Sequence, residues 1–175
     1  MKKLLFACSL AVSLVASTTA NAALNAYLTL KGSKQGAIQG SVTQKGREGK
    51  IMVIAVEHDL KTPPVGSEQH GAFIITKEID KSSPLLRKAA SVGETFDFEL
   101  QFWTPQLGIQ QGSGAEKQHY TVKLTGARIA NIGLRMLNNK NPENTRYAEY
   151  EEVSFTYQKI EWVWNDGGIS ATDSP

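Results

Sequence analysis

The chain has 175 residues, 41% of them hydrophobic and 21% charged, which suits one domain with a single core and excludes a disordered chain. Lys and Arg number 19 against 17 Asp and Glu. Without Lys2 and Lys3 the balance is 17 against 17, so the rest of the chain has no electrostatic bias toward nucleic acid or an anionic membrane, while a net charge near zero permits self-association.

Residues 1–22 read as a cleaved export signal. Lys2 and Lys3 precede an apolar run from Leu4 to Val15, and Ala20-Asn21-Ala22 places cleavage before Ala23. The run stops at Ser17-Thr18-Thr19, short of the roughly 20 apolar residues a membrane anchor needs. Cys8, the single cysteine, falls inside this run, so the mature core must hold without a disulfide.

Alternation of period two dominates the chain beyond Ala23. Leu24, Ala26, Leu28 and Leu30 share one strand face; residues 36–40 make a turn, and 41–44 a short strand. Residues 50–60 are apolar on both faces, with Ile51, Val53 and Ala55 opposite Met52, Ile54 and Val56. Such a strand is expected at the centre of the fold, covered on both sides. Pro63 and Pro64 remove ladder donors, so residues 61–71 form a long loop. Another strand covers residues 72–79.

One helix is predicted next. Ser82 or Ser83 caps it, Pro84 suits its first position, residues 85–90 favour it, and Gly93 ends it. Residues 95–103 alternate cleanly, with Phe96, Phe98, Leu100 and Phe102 inward. Residues 105–115, with Gly108, Gly112 and Gly114, read as a flexible hairpin loop. In the long run 117–134 the apolar parity flips after Gly126. In the last strand, 147–165, it flips near Gln158 and Lys159. A straight strand keeps one face inward, so each flip implies a bulge, a bend between two sheets, or a face buried against a neighbouring subunit. The last seven residues, 169–175, read as a flexible tail.

Chemistry is sparse. The sequence lacks a Gly-x-Ser-x-Gly elbow, a phosphate-binding loop, a His-Glu-x-x-His motif and a cysteine pair. Glu57, His58 and Asp59 form the best acidic cluster; two carboxylates on one strand face suit a cation or acid–base work, yet specify little without a third group. Ser113 lies between glycines with no identifiable base. Trp103, Trp162 and Trp164 suit packing better than a sugar platform. The alternating charges of residues 77–81 read as a solvated strand end. No catalytic residue, cofactor site or metal site is assigned.

The order of the blocks is similar to the hemolysin-coregulated protein (Hcp) family. It is carried by Tyr27-Leu28, Leu30-Lys31, residues 38–42, 47–51 and Glu57-His58, and above all by the run 73–86, Phe-Ile-Ile-Thr-Lys-Glu-Ile-Asp-Lys-Ser-Ser-Pro-Leu-Leu. Residues 120–124 and 153–162 continue it, so the likeness spans residues 23–168. It implies an all-β, two-sheet barrel with one flanking α-helix. It further implies a structural, non-enzymatic role: homohexameric rings stacked into the tube of type VI secretion, a sheath and a spike protein as partners, and effector proteins in the lumen. The expected contact between stacked rings is the loop of Lys61, Thr62, Pro63, Pro64, Val65, Gly66 and Ser67. The export signal sits uneasily with a tube assembled in the cytoplasm. The alternative is an exported barrel of the same kind acting as a binding module in the periplasm or outside the cell.

Overall fold

The computed structural model describes residues 24–105 and 116–175. The expected export signal, residues 1–22, and the glycine-rich segment with Ser113 therefore lie outside the described residues. Among the described residues no helix is long and apolar enough to cross a membrane.

Along the chain the elements are β1 (Asn25–Gly32), β2 (Gly36–Ile38), β3 (Ile51–Val53), β4 (Ala55–Glu57), β5 (Leu60–Lys61), β6 (Gln69–His70), β7 (Phe73–Glu78), α1 (Ser83–Ser91), β8 (Thr95–Pro105), β9 (Glu116–Arg135), β10 (Tyr150–Thr156), β11 (Lys159–Trp164) and β12 (Ile169–Asp173). Ten strands join one antiparallel sheet, whose main path is β2-β1-β8-β9-β10-β7-β4; β5 and β6 form a second, two-stranded sheet. The sheet curls because β3 pairs with β1 while β4, the next strand in the chain, pairs with β7. One short run of chain therefore joins the two ends of the path, with the Ile54 N–H donating to the Thr76 carbonyl at 2.8 Å. The result is the expected all-β, barrel-like fold with, among the described residues, one flanking α-helix, although the hydrogen-bonded path itself does not close.

Both predicted parity flips are bends. β9 is long enough to serve two partners along one edge: Tyr120–Thr125 pairs with β11, and Arg128–Arg135 with β10. At Gly126 the strand takes one extra residue opposite Phe96 and Phe98, and its φ of +63° is a conformation that glycine adopts without strain. Any Cβ there would meet Gln158 Oε1 at 2.6 Å. Gln158 lies in the gap between β10 and β11, so the two bends nest. The single strand expected over 147–165 is thus two strands, and Tyr157 and Ile160 both remain buried across the break. A second bulge at Ala130 brings Ile132 opposite Val153.

Inside lie Leu28 and Leu30 of β1, Ile51 and Val53, Phe73 and Ile75, Phe96, Phe98 and Leu100, Val122 and Leu124, and Val153 and Phe155. The aromatic rings of Phe73, Phe98 and Phe155 meet edge to face, 5.1–5.4 Å between centroids. Helix α1 adds Leu86 and Ala89 to this core. The N-cap is Ser82, but its side chain does not cap the helix: the Ser82 hydroxyl donates to Asp80 Oδ1, and Ser83 Oγ accepts from the Asp80 N–H. Gly93 follows the helix at φ +62°, as its end signal requires.

Four further expectations need correction. Residues 77–81 are not a solvated strand end at Lys77, which is fully buried. It stands in phase with Phe73 and Ile75, so it points inward at the barrel end beneath α1. Its ammonium contacts Asp80 at 2.8 Å, Glu151 at 3.0 Å, Ser83 Oγ at 3.0 Å and the Glu78 carbonyl at 2.7 Å. Arg87 of the helix reaches the other oxygen of Glu151 at 3.3 Å. Burial works against the Asp80 carboxylate, but Lys77 and Ser82 hold its pKa below the ordinary value.

Residues 50–60 are not a strand covered on both sides. They break at Ile54, where the chain changes partners, and Met52 and Ile54 face outward, 44% and 54% exposed. Residues 41–44 are not a strand either. They begin a loop that folds over the outer face of β1 and buries Tyr27, whose hydroxyl donates to Gln44 at 2.7 Å. Finally, the expected tail at 169–175 contains β12, paired with β11 from Ile160↔Asp173 to Trp164↔Ile169. Gly167 and Gly168, both at positive φ, make the turn that reverses the chain there.

Candidate functional site

The sequence cluster Glu57–His58–Asp59 does not converge. Alternation along the chain leaves Glu57 and Asp59 exposed, and turns His58 inward to Tyr157. The partners of His58 are distant in sequence. Its Nε2 lies 2.6 Å from the Tyr157 hydroxyl, which is also 3.0 Å from Nδ1 of His70; His70 Nε2 in turn lies 3.2 Å from Asp173 Oδ2. Burial, with the nearby charge of Asp173, pushes the Tyr157 phenol up to about 12. Burial also lowers the pKa of His58; His70 adds to that effect and Asp59 opposes it. Tyr157 thus keeps its proton and His58 is neutral near pH 7. The cluster fills the barrel end opposite Lys77, with His58 packed on Phe73 at 5.4 Å. Nothing in its arrangement presents a nucleophile to solvent.

Trp103 and Trp162 serve packing, whereas Trp164 is 42% exposed. Trp103 lies under Arg47, whose guanidinium is 3.7 Å from the ring centroid. Arg47 also pairs with Glu116. Burial opposes ionisation of Glu116, but Arg47, Asn25 and Gln44 hold its carboxyl below the ordinary range. Trp162 packs against the core, and Trp164 meets His119 edge-on at 5.9 Å.

The outer surface carries an apolar belt. Met52, Ile54 and Ile79 line a shallow depression of about 250 Å³ together with Val42, Glu78 and Asp80. Ile54 and Glu78 also border a second depression, with Leu137, Tyr147, Ala148 and Tyr150. Met136 is 63% exposed beside it, and Leu134 and Tyr147 are exposed as well. Thr76, Arg146 and Glu152 border the second depression as well, and the exposed apolar side chains grouped here make it a candidate contact face. Of these residues, Met52 and Ile54 were visible as the second apolar face of residues 50–60. Met136, Leu137 and Tyr147 lie in or beside a polar loop, and only the fold brings them to Ile54.

Two strand edges are also open, of which β4 adjoins Ile54. Among the described residues β4 pairs only with β7 and β12 only with β11, so each leaves one edge of backbone donors and acceptors open. The loop expected to stack rings joins β5 to β6. Lys61, Thr62, Pro64, Val65, Gly66 and Ser67 are exposed and Pro63 is half-buried; Val65, at 89%, is apolar and nearly free of contact.

Comparison with known proteins agrees with this geometry. Residues 27–164 match the family described as type VI secretion system effector, Hcp. The Major exported protein of Pseudomonas aeruginosa is 33% identical over 138 residues, covering 74% of this chain and 77% of its own length. A crystal structure of an Hcp protein superposes with a TM-score of 0.78 at 30% identity, covering 87% of this chain and 98% of that one. Hcp1 from E. coli EAEC 042 gives 0.72 at 35% identity, with the same coverage of both chains. The match runs through the barrel, its helix and the bent strands, so the chain belongs to the Hcp family of type VI secretion proteins.

Proposed function

We propose that the chain is a tube subunit: six copies close into a ring, rings stack head to tail, and the tube is expelled by a sheath behind a spike protein, with effectors in its lumen. The observation that carries this reading is the outward apolar belt around Met52 and Ile54, next to the open edge of β4. A lone barrel leaves that surface wet, whereas identical neighbours arranged in a closed circle would cover it on every copy. The exposed loop of residues 61–67 then serves stacking between rings rather than closure within one.

Electron microscopy of the purified protein tests both contacts. Rings with an open centre are expected, piling into short tubes at high concentration. Replacing residues 63–67 with a short Gly-Ser link is expected to leave single rings while stacked tubes disappear. Loss of the rings themselves would assign the loop to ring closure instead.

Export is the second question. The leader-like residues 1–22 favour the alternative reading of a barrel exported to act alone as a binding module. Intact mass in fractionated cells separates the two. A chain that starts at Met1 in the cytoplasm supports the tube subunit; one that starts at Ala23 in the periplasm supports the exported module.

A further inference from the structure

Three side chains from two segments distant in sequence meet where the β5–β6 hairpin touches β12. Glu68 precedes β6, His70 lies on it and Asp173 ends β12; each offers a ligand atom within 4.8 Å of the others. The His70 side chain is only 2% exposed, and both of its nitrogens are engaged, Nε2 toward Asp173 and Nδ1 toward Tyr157. The ring is therefore fixed in orientation, with Nε2 aimed at the carboxylates. Two carboxylates beside one imidazole carry more negative charge than a single imidazolium can neutralise.

We propose that Glu68, His70 and Asp173 bind one divalent transition-metal ion of the zinc class, which ties the β5–β6 hairpin to the C-terminal strand. One imidazole nitrogen with two carboxylate oxygens suits zinc and its neighbours. Calcium and magnesium take oxygen ligands throughout. Glu68 is exposed, so the fourth position opens toward solvent.

Tyr157 completes the arrangement, because a metal-binding histidine commonly donates its second N–H to a fixed acceptor. With the ion on Nε2, His70 carries its proton on Nδ1 and donates it to the Tyr157 oxygen. The Tyr157 hydroxyl then donates to Nε2 of His58, 2.6 Å away. Without the ion every bond reverses: His58 Nε2–H donates to Tyr157, Tyr157 to His70 Nδ1, and His70 Nε2–H to Asp173. In the switch one proton leaves His70 Nε2 and one enters at His58 Nδ1, so the net change is zero. Both states satisfy the buried groups, and the phenol keeps its proton throughout. The ion would cross-link positions 103 residues apart and hold the base of the exposed loop. This inference does not depend on ring formation.

The test uses the full chain, stripped with a chelator and titrated with Zn²⁺ by calorimetry and with Co²⁺ by visible absorption. One ion per chain is expected, with a rise in melting temperature that the chelator reverses. His70→Gln should abolish the Co²⁺ bands. Because a buried substitution can also disturb folding, Glu68→Gln and Asp173→Asn are the decisive variants; each should weaken binding by at least about tenfold while His119→Ala does not. An absence of saturable binding by the unaltered chain up to roughly 1 mM ion would overturn the assignment, as would affinity unchanged in both carboxylate variants.

Discussion

Replacing Lys77 with alanine is expected to cost about 3–5 kcal/mol of folding stability, as much as truncating a large apolar core side chain. The ammonium is fully buried and holds two carboxylates, a hydroxyl and a carbonyl at 2.7–3.0 Å. Its removal leaves Glu151, equally buried, with only the partly exposed Arg87 as a charged partner. An ionised carboxylate left so in a dry site is far costlier than the net gain from the intact pair. The double variant Lys77→Met with Glu151→Leu removes both charges, and should recover much of the loss because it fills the same space with apolar atoms. Urea unfolding of the three proteins measures this. A midpoint shift worth less than about 1 kcal/mol for Lys77→Ala would mean that water reaches this end of the barrel.

Ile54→Asp should do the opposite: leave the barrel standing and break the assembly. Ile54 is 54% exposed and borders both apolar depressions, so a carboxylate there stays solvated in the isolated subunit. Its effect on unfolding should stay within about 1 kcal/mol. Covered by a neighbour, the same carboxylate would lack a partner, at a cost of at least about 2 kcal/mol per contact. That is roughly a thirtyfold loss in affinity at each contact of the proposed ring. Sedimentation at matched concentrations should therefore show subunits where the unaltered protein shows rings. If rings persist, the belt is ordinary surface; if the subunit unfolds, Ile54 belongs to the core with Ile51 and Val53 after all.

Much of the fold was legible because it is local. The alternation of residues 95–103 placed Phe96, Phe98 and Leu100 inside, and they are buried. Ser82, Pro84 and Gly93 bracketed the helix within a residue or two. The parity flips at Gly126 and Gln158 marked both bends. What failed was non-local or depended on polarity. Lys77 and Glu151 were in phase with their apolar neighbours, but a charged residue at a strand end is ordinarily solvated, and no local pattern signals that α1 covers them. Residues 51–54 showed two apolar faces correctly, but beyond the break Val56 packs on the core and Ala55 is exposed. Covering the second face from within the chain was the error, since the fold turns Met52 and Ile54 outward. His58, His70, Tyr157 and Asp173 come from four segments, and no spacing rule connects them. Gly167-Gly168 was a turn signal passed over because the residues beyond it looked like a tail.

Central to the proposed role is that copies of the same chain cover the outward apolar belt. The direct measurement is the mass of the particle formed by residues 23–175, read by light scattering across a wide concentration range. A particle of six subunits that resists dilution is the predicted result. A subunit that stays single at the highest concentration reached would contradict it.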